Sequence, residues 1–136
     1  MEQHARQDTW IEVITMFTEY LQSKIHMATI TDVNADYHGS LTLDRDLMDA
    51  AGIDHFQKIL VANANNGSRF ETYVIEGDRG SGVVALNGAA ALLGKPGDKI
   101  IAMTFCLLSA QEASQHKPRI VLISERNKPL MLVLQS

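Results

Sequence analysis

Two short apolar segments joined by a tight turn place the strongest constraint on the fold. Residues 59–63 and 69–75 are rich in apolar and β-branched side chains, and Asn65, Asn66 and Gly67 stand between them. An Asn-Gly pair tolerates the positive φ that a tight turn between antiparallel strands requires. The middle of the chain is therefore predicted to form a β-hairpin.

Other segments of strand length follow the same pattern. Alternating side chains predict a strand over residues 22–31, and short apolar runs predict four more, at 83–86, 99–107, 119–123 and 130–134. A chain of 136 residues suits one hydrophobic core. Because a closed barrel leaves no exposed strand edges, these short strands favour a mainly β fold, a small β-barrel with short helices.

Helix-capping residues predict where the short helices begin and end. Asp44 is expected to cap a helix that Gly52 terminates, with Leu47, Met48 and Ala51 facing inward. An Ala-rich helical piece is predicted within residues 87–93, and the Ser109–Glu112 capping box predicts a helix ending near Pro118.

The N-terminal segment has the spacing of an amphipathic helix. Trp10, Ile14, Phe17 and Leu21 fall on one face, and Thr9 with Glu12 has the spacing of a capping box, so a helix is predicted over residues 9–22. Residues 1–17 are accordingly an expected extension, and residues 18–136 the expected β-barrel domain. An alternative hypothesis is that translation starts at Met16.

Composition and charge exclude several classes of partner and site. Lys and Arg number 12 against 16 Asp and Glu, a net charge of -4 that argues against nucleic acid as a partner. The apolar stretches are shorter than the roughly 20 residues that a membrane span needs. The five histidines are scattered, so no metal is expected. A single cysteine, Cys106, and no secretory signal favour a soluble cytoplasmic protein.

Five motifs together point to a known family. From residue 21 to about residue 118, in order and with even spacing, the chain resembles the bacterial pyruvoyl-dependent aspartate 1-decarboxylases. The motifs are Ser23-Lys24-Ile25-His26, Tyr37-His38-Gly39-Ser40, Asp46-Leu47-Met48-Asp49-Ala50-Ala51-Gly52, Asn66-Gly67-Ser68-Arg69-Phe70-Glu71-Thr72-Tyr73 and Asn87-Gly88-Ala89-Ala90. Composition and spacing alone lead only as far as a β-rich barrel.

The resemblance implies a double-psi β-barrel that assembles as a homotetramer and cleaves its own chain between Gly39 and Ser40. In such a cleavage the Ser40 hydroxyl attacks the Gly39 carbonyl, and strained backbone at Gly39 is expected to allow the attack. The resulting ester undergoes β-elimination, and the dehydroalanine left at residue 40 hydrolyses to a pyruvoyl group and ammonia. By the same resemblance Thr72 assists this step, and Tyr37 and His38 flank the cleaved bond.

The implied reaction converts L-aspartate into β-alanine and CO2 for pantothenate and coenzyme A synthesis. The pyruvoyl ketone of residue 40 would form a Schiff base with the substrate amine and delocalise the electrons left behind, so neither pyridoxal phosphate nor a metal is needed. The resemblance assigns protonation to Tyr73. Lys24 and Arg69 jointly recognise carboxylates, and Thr72 also contacts the substrate. Further substrate contacts are implied at Asn87, Gly88, Ala89 and Ala90.

Adjacent strand residues point to opposite faces, so a site that uses both Thr72 and Tyr73 requires explanation. Either the strand twists there, or the site lies at a subunit boundary where Ser40 of one subunit meets Thr72 or Tyr73 of another. The chain also departs from the family pattern, because Thr18 and Met27 stand where basic residues are common.

Two other functions stay open at this stage. A catalytically silent barrel could bind a small acid or a partner protein, and a self-cleaving hydrolase could keep Ser40 as an N-terminal nucleophile. Maturation is either autonomous or dependent on a maturation factor.

Overall fold

A computed structural model describes residues 15–134, with side chains as far as Leu130. The strands are β1 (Phe17–Thr29), β2 (Asp32–Asn34), β3 (Ser40–Asp44), β4 (Lys58–Asn63), β5 (Arg69–Gly77), β6 (Val84–Asn87), β7 (Lys99–Ser109), β8 (Arg119–Ile123) and β9 (Pro129–Leu134). The helices are α1 (Arg45–Ala51), α2 (Ala110–Ala113) and two 3-10 helices, Gly88–Leu93 and Glu125–Asn127. None of the helices in this range is long and apolar enough to span a membrane.

The strands form one mixed sheet in the order β2-β6-β3-β5-β4-β7-β1-β8-β9. The long strand β1 lies between β7, which is antiparallel to it, and β8, which is parallel. One core joins buried side chains from β1 and from β3 to β8: Ile25, Leu41, Val61, Val74, Leu86, Ile100 and Val121. The predicted mainly β fold is confirmed. A single mixed sheet folded around one core is the architecture of a small β-barrel.

The predicted hairpin is confirmed as β4 and β5. The two strands are antiparallel, with Lys58 opposite Tyr73 and Ala62 opposite Arg69, and no irregularity interrupts their register. In the turn, Gly67 has a φ of 77°. Glycine adopts this left-handed conformation without steric cost, which is why the turn residues identify the hairpin.

The helix predicted after Asp44 is confirmed in its ends and its buried face. The Asp44 carboxylate caps α1 by accepting a hydrogen bond from the Asp46 amide at 2.8 Å, and Gly52 ends the helix in the left-handed conformation. The same carboxylate accepts from the amides of Gly80 at 2.9 Å and Gly82 at 2.8 Å. Burial raises the pKa of Asp44, but these three amide hydrogen bonds outweigh it and the pKa lies below its usual value.

The remaining short elements begin where their sequence signals indicate, but α2 ends at Ala113 rather than near Pro118. Gly88–Leu93 forms the predicted helical piece as a 3-10 helix, and the capping box of Ser109 with Glu112 starts α2. Strands β8 and β9 pair as the predicted second hairpin-like unit.

The helix predicted over residues 9–22 is wrong in its second half, because β1 begins at Phe17. Phe17 and Leu21 are one helical turn apart, but that spacing also places both on one face of a strand. Pairing with β7 begins at Phe17 and supplies the backbone hydrogen bonds, so tertiary contacts decide for the strand. The earlier part of that helix, with the capping box at Thr9, lies outside the described residues.

Neither β2 nor β3 is among the predicted strands, although β3 begins at Ser40. Four of the five β3 residues are buried, the polar Ser40 and Asp44 among them. Residues 40–44 do alternate polar and apolar side chains as a strand does, so the sequence carries a signal for β3 that the prediction did not use.

Candidate active site

Ser40 is fully buried at the first position of β3. Its strand lies between β5, which runs parallel, and β6, which runs antiparallel and places Asn87 directly opposite Ser40. The side chains of Leu41 and Leu43 hold β3 in the core. The bond between Gly39 and Ser40 therefore stands where an exposed loop enters the core of the sheet.

A hydrogen-bond network satisfies the buried Ser40 hydroxyl. The Asn87 side-chain amide donates to Ser40 Oγ at 2.9 Å and to Thr42 Oγ1 at 2.9 Å. Ser40 Oγ in turn donates to the backbone carbonyl of His38 at 3.0 Å. Because Asn87 is only 3% exposed, removing either partner would leave a buried polar group without its hydrogen bond.

Gly88 packs against the backbone of Gly39. Its φ is 67°, and a Cβ built there would lie 2.6 Å from the Gly39 Cα and 2.7 Å from the Gly39 nitrogen. Gly39 differs, because its φ is not left-handed and a Cβ there would meet no atom within 4 Å. The structure does not show the strained backbone expected at Gly39; the residue that must be glycine for steric reasons is Gly88.

A small cavity of about 240 Å³ opens beside Gly39. Thr72, Ala89 and Ala90 line it, together with Phe70, Glu71 and Leu93. Thr72 lies two residues before Val74 on β5, and Val74 pairs with Leu41, which lies two residues after Gly39. The structure thus brings together six of the predicted site residues: Gly39, Ser40, Thr72, Gly88, Ala89 and Ala90. Asn87 joins them through its hydrogen bond to Ser40.

Tyr73 lies on the opposite face of β5 from Thr72, as strand alternation requires. Phe70 on the Thr72 side packs against the core, whereas Arg69 and Glu71 on the Tyr73 side are exposed. We call the sheet face that carries Arg69, Glu71 and Tyr73 the outer face. Among the described residues nothing forms a hydrogen bond with the Tyr73 hydroxyl.

Lys24 shares the outer face but is far from Arg69. Lys24 pairs with Met103 on β7, and Met103 pairs with Leu60 on β4. Leu60 in turn pairs with Glu71 on β5. Lys24 and β5 are therefore three strand spacings apart, on the order of 14 Å. Within one chain the two predicted carboxylate-binding residues do not converge with each other or with Ser40.

The outer face next to Tyr73 holds an ion pair. Lys58, opposite Tyr73 in the hairpin, lies with its Nζ 2.9 Å from Glu71 Oε2. The hydrogen bond and the charge of Glu71 raise the pKa of Lys58 above its usual value. A groove of about 340 Å³ runs from this pair across Leu60 and Met103 to Phe105.

Sequence reasoning missed two residues near Tyr73, His55 and Phe56. The Phe56 ring centroid is 6.2 Å from that of Tyr73, and the His55 ring centroid is 3.8 Å from that of Phe56. A left-handed φ of 71° at Phe56 is the feature that distinguishes this turn, and a sequence does not display it. No group of three or more His, Cys, Asp or Glu side chains with the geometry of a metal site occurs in the part of the chain that the structure describes.

Comparison with known proteins gives a consistent result. A sequence model of the aspartate decarboxylase family matches residues 16–130. The chain is 56% identical over 117 residues to aspartate 1-decarboxylase of Caldicellulosiruptor bescii, an alignment covering 86% of this chain and 91% of that protein. It is 54% identical to the protein of the same name from Caldicellulosiruptor saccharolyticus, again over 86% and 91%. For that of Clostridium acetobutylicum the identity is 50%, over 82% of this chain and 88% of the other.

Proposed function

The chain belongs to the aspartate decarboxylase family, and from that premise we propose how its own residues perform the family's reaction. It is a carboxy-lyase that converts L-aspartate into β-alanine and CO2, the step that supplies pantothenate synthesis. The observation that carries the residue-level proposal is the buried Ser40 hydroxyl, held by Asn87 beside the cavity that Gly39 and Thr72 line.

Ser40 is the proposed nucleophile of self-cleavage. Its Oγ would give up its proton and bond to the Gly39 carbonyl carbon, while the Gly39–Ser40 C–N bond breaks and the nitrogen gains a proton. This replaces the peptide bond by an ester. Thr72, which lines the same cavity as Gly39, would donate to the carbonyl oxygen as negative charge develops there.

The ester then resolves without any group from outside except water. Residue 40 loses its α-proton and expels the Gly39 carboxylate, and water replaces the nitrogen of the resulting dehydroalanine, which leaves as ammonia. The product is a pyruvoyl group at the head of residues 40–136, with residues 1–39 as the second fragment.

The surroundings of Ser40 fit a pyruvoyl group. It would occupy the space that serine already fills, at the end of β3 and next to the cavity, and the Asn87 amide is a donor suited to a carbonyl oxygen. When present, such a group supplies a ketone through which the electron pair left on the substrate α-carbon by the loss of CO2 can be delocalised. The chain's own residues must then bind the two substrate carboxylates, and Arg69 and Lys24 offer the cations.

The site is proposed to be completed by a second copy of the chain. Thr72 lines the cavity beside Gly39, but Lys24, Arg69 and Tyr73 of the same chain do not. Lys24 also lies three strands away from β5, the strand that carries Arg69 and Tyr73. The hairpin register is continuous through Thr72 and Tyr73, which argues against a local twist and for a subunit boundary. The outer face of one subunit would therefore bring its Tyr73 to the Ser40 of a neighbour, in a homotetramer.

Tyr73 is the proposed proton donor to the substrate α-carbon. Its hydroxyl has no hydrogen-bond partner among the described residues, so it is available to a bound substrate. The proposal includes a cytoplasmic location, which the unpaired Cys106 favours because a lone thiol suits a reducing compartment.

An intact-mass spectrum of the purified, denatured protein tests the proposal, with a Ser40→Ala variant beside it. We expect two fragments, residues 1–39 and 40–136, the second beginning with pyruvoyl in place of serine. Ser40→Ala should remain one chain and produce no β-alanine from L-aspartate. If cleavage does not occur in the purified protein, incubation with host-cell extract tests for a maturation factor.

The other outcomes identify the alternatives. A second fragment that begins with a free serine amine would indicate a hydrolase with an N-terminal nucleophile. A chain that stays whole even in extract, and that yields no β-alanine, would indicate a silent barrel.

A further inference from the structure

Phe56 adopts a backbone conformation that its side chain disfavours. It is the third residue of the turn from Asp54 to Gln57, which is closed by the Gln57 amide donating to the Asp54 carbonyl at 3.1 Å. The Phe56 φ is 71°. Turns that need a positive φ at this position take glycine or asparagine, because a larger side chain meets the neighbouring backbone. A phenylalanine is therefore retained here at a steric cost.

Packing in the core does not explain why the ring is retained. Phe56 is 66% exposed. The aromatic partners of its ring are His55, at 3.8 Å between centroids, and Tyr73, at 6.2 Å with the ring planes 50° apart. That separation and tilt lie within the range of favourable aromatic pairs. A strained and exposed aromatic residue whose ring lies beside Tyr73 calls for an explanation in terms of Tyr73.

Backbone hydrogen bonds fix this turn against the strand that carries Tyr73. The Phe56 amide donates to the Val74 carbonyl at 2.7 Å, and the Val74 amide donates to the Gln57 carbonyl at 2.9 Å. Two residues further along, the Glu76 amide donates to His55 Nδ1 at 3.0 Å. Since the turn is hydrogen-bonded on both sides of Phe56, the Phe56 ring has a defined place beside Tyr73.

We propose that Phe56 is a positioning residue for Tyr73. The Tyr73 hydroxyl has no hydrogen-bond partner among the described residues, so contacts to the ring are what restrict the direction of the phenol. The Phe56 ring lies beside the Tyr73 ring, 6.2 Å away between centroids, and would limit its rotation. This inference rests on the proposed function, in which Tyr73 delivers a proton and must be held within hydrogen-bond reach of the reacting carbon.

The test compares Phe56→Asn, Phe56→Tyr and Arg126→Asn, each checked for complete cleavage and assayed for β-alanine formation. Asparagine tolerates the left-handed conformation, so Phe56→Asn should leave the Tm unchanged or raise it. It should lower kcat about tenfold with little change in KM, because a misplaced proton donor slows the chemical step. Phe56→Tyr keeps the ring and should retain kcat within about twofold.

Arg126→Asn is the matched control. Arg126 is exposed and also has a left-handed φ, 62°, but it belongs to the 3-10 helix before β9. The same relief of backbone strain there should leave kcat unchanged.

A double-mutant cycle separates this inference from the proposed function. If Phe56 acts through Tyr73, Phe56→Asn should have little further effect on kcat in a Tyr73→Phe background. An equal loss in both backgrounds would overturn the inference, as would a wild-type kcat in Phe56→Asn or a parallel fall in Tm and kcat. If instead Tyr73→Phe alone retains full kcat, the proton-donor assignment in the proposed function fails, and the positioning role fails with it.

Discussion

Gly88 approaches Gly39 so closely that a Cβ on Gly88 would lie 2.6 Å from the Gly39 Cα. The atoms that this Cβ would meet, the Gly39 Cα and the Gly39 nitrogen, belong to the backbone, so no flexible side chain can move aside. Gly88→Ala should therefore displace the Gly39–Ser40 bond from Asn87 and Thr72. We expect slower self-cleavage, by about tenfold or more for a displacement near 1 Å, and a lower Tm. A time course of intact mass after synthesis measures the cleavage rate.

Gly67→Ala is the control for the backbone. Gly67 has a similar φ, 77°, but a Cβ there would meet no atom within 4 Å. Gly67→Ala should lower the free energy of unfolding by about 1–2 kcal/mol, because alanine is strained in the left-handed conformation, and should leave the cleavage rate unchanged. Equal cleavage rates in the two variants would contradict the steric role of Gly88.

Co-expression of two impaired variants tests whether a site is shared between chains. Ser40→Ala lacks the residue for cleavage, and Tyr73→Phe lacks the proton donor. If Ser40 of one subunit works with Tyr73 of its neighbour, a mixed tetramer contains some sites with both residues intact. β-alanine formation should then recover to a fraction of the wild-type rate, whereas Ser40→Ala alone stays inactive and Tyr73→Phe alone keeps only a low residual rate.

The double variant carrying both substitutions, co-expressed with Tyr73→Phe, serves as the control for this experiment. This pair supplies Ser40 but no Tyr73, so it should give no recovery above the residual rate of Tyr73→Phe. Absence of recovery in mixed tetramers of the two single variants, verified by native mass spectrometry, would place Ser40 and Tyr73 of one site in the same chain.

Asp44→Asn should destabilise the fold by about 2 kcal/mol, because three amides donate to a carboxylate that is fully buried. Asparagine offers one oxygen and one NH2 group, and the NH2 would face a backbone N–H. Denaturant unfolding monitored by circular dichroism measures the loss. Asp49→Asn, an exposed partner of Arg45 and Arg79, should cost clearly less. Equal losses would show that the amide cluster is not what stabilises this turn.

Asp98 should make stability depend on pH in the acid range. Hydrogen bonds from the Lys95 side chain at 2.9 Å and the Asn63 amide at 3.0 Å lower the Asp98 pKa to about 2, from an ordinary value of 3.8. Since the folded-state pKa is the lower one, the unfolded chain binds more protons between these values. The contribution of Asp98 is therefore complete above about pH 4 and is lost as the pH falls toward 2.

The Tm difference between wild type and Asp98→Asn measures this contribution. It should be larger at pH 6 than at pH 3. The same difference at both pH values would mean that the charge of Asp98 contributes nothing to stability.

Local signals predict part of this fold well. The caps at Asp44 and Gly52, the turn at Gly67 and the capping box at Ser109 each specify a structure within a few residues, and all four are present. The beginning of β1 is different. At Phe17 and Leu21 the helical and strand patterns coincide, and only pairing with a segment about ninety residues away decides between them.

The candidate site could be predicted only in pieces. The motifs identify Ser40, Thr72 and Tyr73, and strand alternation alone indicates that the last two face opposite ways. That Gly88, rather than Gly39, is the tightly packed glycine depends on how β3 and β6 meet. The place of Phe56 beside Tyr73 likewise depends on backbone bonds between a turn and a strand, which no local pattern records.

Strand β1 precedes the proposed cleavage point, yet it lies between β7 and β8, which follow it. A mature molecule would thus consist of two separate polypeptides interleaved in one sheet. If the molecule unfolds, the two polypeptides can dissociate. Refolding then requires their association, a second-order reaction that slows on dilution. In addition, Ser40 would already have been converted into the pyruvoyl group and could not generate a second one. Each molecule would have a single productive folding event, so its working lifetime would depend on the rate of unfolding rather than on the equilibrium.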